Sequence, residues 1–195
     1  MSRLQLSILL FSFLFTTVSF GQNARSSDAN SNSQSTFDVG VEVQAYPTGV
    51  IPGIHLEWGV SSKDGVLARI GYNIVRHRDL GVHEDERGGG FGFSLGYRRY
   101  FKENRNGFFL GARTDLWFND LEWRDDIDLP TEVGGDTQVT VLQPTAEGGY
   151  VLNLNKGWIF VPSIAFGAEI NINTEGAPVG EGAIVLLGFT FGKRF

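Results

Sequence analysis

His55, His77 and His83, with no cysteine, are the whole stock of imidazole and thiol chemistry in a chain of 195 residues. Nucleophilic attack needs such a histidine set against a serine and an acid, a constellation recognised by geometry and not by chain order. His55 is followed by Leu56 and Glu57, His77 by Arg78 and Asp79, and His83 by Glu84 and Asp85, so acids stand close to each histidine but serine does not. His77, His83, Glu84, Asp85 and Glu86 lack the spacing of metal ligands and read as a solvated charge run. A second acidic stretch holds Asp120, Glu122, Asp125, Asp126, Asp128, Glu132 and Asp136 around Trp123. It suits contact with bridging cations or a partner surface, as exposed loops often do. Gly88 to Gly92 has no following Lys-Ser/Thr and makes no phosphate loop. No catalysed reaction, metal or cofactor is expected. The outer-loop residues His77, His83, Glu84, Asp120, Trp123, Asp125, Asp126 and Asp128 are expected to serve interaction instead.

The elements that carry these residues are strands. From Phe37 onward apolar residues recur with period two, and almost nowhere with helical spacing. Phe37, Val39, Val41 and Val43 alternate with Asp38, Gly40 and Glu42. Ile54, Leu56 and Trp58 alternate with His55 and Glu57. Ala68, Ile70 and Tyr72 alternate with Arg69 and Gly71. The same pattern returns about Phe91–Tyr97, Phe108–Phe118, Trp158–Ile170 and Ala183–Phe191. In the stretch from Thr137 to Leu152, Val139 and Val141 sit on odd positions and Leu142, Ala146 and Tyr150 on even ones, which predicts a bulge near Val141–Leu142. Pro144 and Pro162 fall inside strands, where each removes a ladder donor.

Eight such segments of roughly ten residues match the smallest transmembrane barrels, whose strands of ~9–11 residues cross a ~25 Å apolar band. The sequence therefore predicts an all-β, eight-stranded antiparallel up-and-down transmembrane β-barrel over residues 37–195. Ser61–Gly65, Lys102–Gly107 and Asn153–Gly157 are short, polar and end in glycine, as tight turns do. Longer loops are expected at Pro47–Gly53, His77–Gly89, Asn119–Asp136 and Asn173–Glu181, so that turns gather at one end and loops at the other.

Ahead of the barrel, Arg3 precedes the apolar run Ile8–Phe15, which gives way to small and polar residues up to Gln22. This is the pattern of a secretory signal peptide over residues 1–21, too short and too interrupted for a membrane anchor. Residues 22–36 contain no large apolar side chain and are expected to form a flexible polar leader. An exported chain without cysteine relies on packing and pairing instead of disulfides. A net charge of −6 with no basic cluster excludes a nucleic-acid partner.

Lysine placement decides which face meets water. Lys63, Lys102 and Lys156 lie in the short turns and Lys193 lies next to the C-terminus, so none solubilises a strand face. The apolar face therefore points outward into lipid. The polar face places Asp38, Glu42, Glu57, Asp115, Glu147 and Glu169 with Arg69, Arg98, Arg113 and Arg194 in the lumen, together with His55. An eight-stranded barrel is just wide enough for side chains to fill it, so a paired network that plugs the lumen is expected. Phe37, Trp58, Phe108, Tyr150, Trp158 and Phe195 are expected to form an aromatic girdle at the turn end, and Tyr46, Tyr72, Phe91 and Phe118 one at the loop end.

The terminal stretch from Val185 to Phe195 resembles the C-terminal signature of Gram-negative outer-membrane barrels, in which a final Phe follows alternating apolar residues. Leu187, Phe189, Phe191 and Phe195 carry the likeness, and Lys193 departs from it where an aromatic is common. The chain thus resembles the small OmpX, OmpA-transmembrane-domain and OmpW class. The resemblance implies the cell outer membrane, the barrel assembly machinery and lipopolysaccharide as surroundings and partners, and a monomer. It implies no single role, since the class includes structural and adhesive proteins, lipid A-modifying enzymes and passive conduits. The His-x-Ser pattern of a lipid A deacylase is absent. The expected role is envelope-structural or surface-interacting, without catalysis; the alternative is a narrow conduit or binding barrel for a small or apolar solute.

Overall fold

A computed structural model describes residues 37–195, so the expected signal peptide and polar leader lie outside the described residues. Eight strands follow in chain order: β1 Phe37–Tyr46, β2 Gly49–Gly59, β3 Asp64–Arg78, β4 Asp85–Lys102, β5 Asn106–Asp125, β6 Val133–Asn153, β7 Trp158–Glu175 and β8 Gly182–Arg194. Each pairs antiparallel with its neighbour, and β8 returns to β1 through pairs such as Val41↔Phe191, closing the sheet into an up-and-down barrel. Closure removes the free edges that an open sheet of this length would expose.

The alternation in sequence becomes an inside and an outside. Leu110 (60% exposed), Phe166 (55%) and Leu187 (61%) stand on the outer surface, and Arg69, Glu42 and Asp115 are buried inside. Ile54, Ile70, Phe91, Leu95 and Phe189 continue the apolar exterior around the wall. Soluble monomers rarely expose an apolar patch beyond a few hundred Å². A belt around the whole barrel is the surface of a protein solvated by hydrocarbon. Girdle aromatics pair across neighbouring strands: Phe37 with Trp58 at 5.0 Å and Phe108 with Tyr150 at 4.6 Å at the turn end, and Tyr72 with Phe91 at 4.8 Å at the loop end.

Three features differ from the sequence reading, and a fourth extends it. First, β1 and β2 are joined through residues 47 and 48 alone, and the other loops shrink to 79–84, 126–132 and 176–181. The length lies in the strands, with β5 at 20 residues and β6 at 21 against 10 for β1. The sheet therefore rises past the apolar band on the β4–β7 side. There its outer face is charged, with Arg87 bonded to Glu122 at 2.6 Å, and charge at those positions reads in sequence as loop.

Second, β6 keeps one parity throughout: Val139 and Val141 point into the lumen, where they join an apolar cluster with Trp117, Leu121, Ile184 and Leu186. The bulge falls on β7, where the partner register passes from Thr140↔Asn173 to Val141↔Asn171. Third, Tyr46 is not part of the outer girdle. It faces inward and donates its hydroxyl to Asn73 Oδ1 at 2.6 Å. Fourth, both prolines turn their missing donor to the same seam. The β6–β7 ladder skips from Leu142↔Ile170 to Thr145↔Gly167 beside Pro144, and from Gly149↔Ser163 to Leu152↔Phe160 beside Pro162.

Candidate functional site: a filled lumen under a loop cap

Strand parity delivers the side chains of an ionic cluster to the barrel axis from seven strands, β1 to β6 and β8. Arg69 of β3 lies at the centre, donating Nη1 to Glu42 at 2.8 Å, Nη2 to Asp115 at 2.8 Å and Nε to Ser94 at 3.1 Å. Arg113 of β5 reaches the same Glu42 oxygen at 2.9 Å and Gln44 at 2.8 Å. One step toward the turn end, Arg98 joins Glu147 at 2.7 Å and Glu57 at 3.1 Å. His55 stands between two carboxylates, 3.0 Å from Glu42 and 3.5 Å from Glu57. At the turn end Arg194 closes on Asp38 through two bonds of 2.7 and 2.8 Å.

Such a network lasts in a low-dielectric interior because every charge has an opposite charge in contact. Aromatic rings stack above and below it. Arg69 lies 5.3 Å from the Trp117 ring and Arg98 lies 4.5 Å from the Phe109 ring, distances at which a cation is drawn to a π face. Trp117 also donates its indole N–H to Gln143 at 2.9 Å. Gly92 makes room for that indole, since a Cβ there would collide with the ring. Below, Tyr100, Phe109, Val151, Ile159 and Val161 form an apolar layer at the turn end. The lumen is thus filled in layers: apolar, ionic, then apolar.

Of the lumen residues read from the sequence, Glu169 stands apart. It lies above Trp117 near the loop end, and its contact is a 3.5 Å bond from Gln143, outside the ionic cluster. Sequence reasoning missed Arg105. Placed in the turn between β4 and β5, with φ at +48°, it is buried and runs back into the barrel floor to Glu57 at 2.9 Å and Asp38 at 3.0 Å. A turn arginine is ordinarily solvated, and nothing in its local sequence marks the reversal. Gln44 and Ser94 fall on the polar strand faces read from the sequence beside Glu42 and Arg98 but were not counted in the network, and Gln143, which shares the parity of Glu147, was missed. At the turn rim, slight burial of Asp64 acts against its charge, but bonds from Arg99, Ser61 and Tyr97 prevail and hold the carboxyl at about 2.

The loop end carries the second cluster. His83, from the β3–β4 loop, stacks on Trp123 at 4.2 Å. Its Nδ1 contacts Asp125 of β5 at 2.8 Å and its Nε2 the Pro178 carbonyl of the β7–β8 loop at 3.0 Å. Both ring nitrogens thus face oxygen atoms of other segments. The bond from His83, helped by the Glu84 N–H, holds the Asp125 carboxyl below its ordinary value of 3.8. Glu84 in turn accepts from the Ile127 N–H at 3.1 Å. One histidine therefore clasps three outer segments into a cap. His77 is not in the clasp: it is buried on the lumen side and meets Glu86 at 3.0 Å. Asp120, Asp126 and Asp128 are exposed, the latter two in left-handed turn conformations. Leu187, Phe189, Phe191 and Phe195 lie on the outer face of the terminal strand and at its end.

Closed pairing, an apolar wall and an ionic interior together define a small transmembrane β-barrel of eight strands. No family model matches the chain, and no curated protein matches it. Solved structures that are similar to it are themselves small outer-membrane barrels. The N-terminal β-barrel domain of OprF from Pseudomonas aeruginosa is 12% identical, covering 83% of this chain and 100% of that one with a TM-score of 0.47. Ail, the attachment invasion locus protein of Yersinia pestis, is 10% identical over 83% of this chain and 97% of its own, with a TM-score of 0.48. AlkL, solved in lipid bilayers, is 12% identical over 90% and 97%, with a TM-score of 0.45.

Proposed function

We propose that this protein is a non-enzymatic component of the cell outer membrane, a monomeric barrel that closes its own lumen and meets its surroundings through the loop cap. The filled ionic layer is the observation that carries the reading. Arg69, Glu42, Arg113, Asp115 and Gln44 are each at most 2% exposed, and the Trp117 indole seals them from above. Moving an ion through that layer means breaking several buried charge pairs, each costly to leave unpartnered. The outer face of the cap, with Asp126, Asp128 and Glu84, offers acceptors to cations that bridge lipopolysaccharide headgroups, so lipid and lipopolysaccharide are the expected partners. Export through the N-terminal segment and insertion by the barrel assembly machinery, read from the terminal Phe195, belong to the same proposal.

Planar-bilayer recording is the test. The barrel is expected to give no reproducible conductance steps, and Arg69→Ala combined with Arg113→Ala is expected to create them by emptying the centre. Steps from the unaltered protein would favour the narrow conduit instead.

A further inference from the structure

Above Trp117 the filling stops. A partly enclosed chamber of about 190 Å³ lies between the apolar cluster and the loop cap, roofed by Gly81 and by Val179, Gly180 and Glu181 of the β7–β8 loop. That is room for on the order of six waters, or one small solute. Its lower wall is apolar, built from Val75, Leu121, Val139 and Val141.

The polar wall is lopsided. Glu86, Glu169 and Glu181 line the chamber, and among the described residues no lysine or arginine does. Glu86 is matched by His77. Glu169 and Glu181 have only weak or backbone donors, Gln143 at 3.5 Å and the Asn171 N–H at 3.0 Å. The neutral groups add further acceptors. Asn119, 5% exposed, has no hydrogen bond to its Oδ1. Asn171 spends its amide NH₂ on the Val179 and Gly180 carbonyls, at 3.1 and 3.4 Å, which fixes its Oδ1 as another acceptor without a donor. His77, whose Nε2 meets Glu86, has no hydrogen-bond partner at its other ring nitrogen, Nδ1. Buried acceptors left without donors are costly, and a ligand that supplies donors recovers that cost.

The carboxylates do not converge on a point. No group of three or more His, Cys, Asp or Glu placed to hold a metal ion occurs among the described residues. A spread of acceptors over an apolar floor suits an extended cation instead. We propose that this chamber binds a small organic ammonium or guanidinium compound with a short apolar body, its charged end toward Glu169 and Asn119 and its alkyl part on Val139 and Val141. The site sits outside the ionic layer, so binding does not require a conducting lumen and stands or falls separately from the scaffold role.

Side-chain amide NMR of the folded protein in lipid nanodiscs tests this, with n-butylammonium, n-butanol and n-butyrate as probes at matched ionic strength. Saturable shifts of the Asn119 and Asn171 amides are expected with n-butylammonium, at least tenfold weaker affinity with n-butanol and no saturation with n-butyrate. Loss of one charge-assisted hydrogen bond is worth about tenfold, so Glu169→Gln should weaken n-butylammonium binding by about that factor. Glu103→Gln, in the turn between β4 and β5 at the other end of the barrel, should leave it unchanged, and both variants should keep the dispersed spectrum of the parent. Equal binding of the three probes, no saturation with n-butylammonium, or a Glu169→Gln variant that binds as well as the parent would overturn the proposal.

Discussion

At the scale of single residues, the barrel depends on charges that cannot be removed one at a time. Arg69 contacts Glu42, Gln44, Asp115 and Ser94, so Arg69→Ala leaves two carboxylates short of a partner in the least hydrated part of the molecule. Breaking a buried pair from one side typically costs about 3–5 kcal/mol. We expect Arg69→Ala to lower unfolding free energy in lipid vesicles by about 3 kcal/mol, measured by urea titration, with part of the loss recovered in an Arg69→Met, Asp115→Leu double variant of similar volume. A loss below about 1 kcal/mol, the range of a surface pair, would mean that water screens the cluster. The identities of most of these charges were legible in the sequence, because Glu42, His55, Arg69, Arg113 and Asp115 each lie on the face of their own strand that alternates with apolar residues and also carries glycine. Arg105 was not legible. Its place in the network comes from a left-handed turn that folds its side chain back under the barrel, a three-dimensional fact without a local signature.

At the scale of elements, the strands are unequal partners. The β6–β7 seam lacks two donors, at Pro144 and Pro162, and carries the β7 bulge as well, whereas β3–β4 pairs without interruption from Asp64↔Arg99 to Arg78↔Asp85. Amide exchange tracks local opening. Amides flanking the two prolines on β6 and β7 are therefore expected to exchange at least tenfold faster than those in the middle of β3 and β4. Uniform protection around the wall would contradict the reading that one seam is weak. The sequence announced both prolines but not their common direction, which depends on register. It also hid the true strand lengths. Outer charges such as Arg87, Asp120 and Glu122 look like loop, yet they belong to strands that have already left the apolar band. The inward Val139, Val141, Phe109 and Trp117 were obscured for the opposite reason: large apolar side chains fill the lumen on the parity otherwise given to polar residues.

At the scale of the whole molecule, the fold is a soluble protein turned inside out. Ionic groups take the place of a conventional core, apolar layers close them above and below, and hydrocarbon replaces water outside. Alternation, eight segments and the placement of four lysines made this architecture legible before any coordinate. The layering of the lumen, and the chamber left open under the cap, were not legible, because they depend on which side chains from different strands meet at one height. Spin labels placed singly from Ile164 to Ile170 along β7, with accessibility to oxygen dissolved in the bilayer as the readout, test the central arrangement most directly. Labels at 164, 166, 168 and 170 are predicted to lie in hydrocarbon and those at 165, 167 and 169 to be shielded from it. Loss of that two-residue period, or its appearance with the opposite phase, would contradict the account.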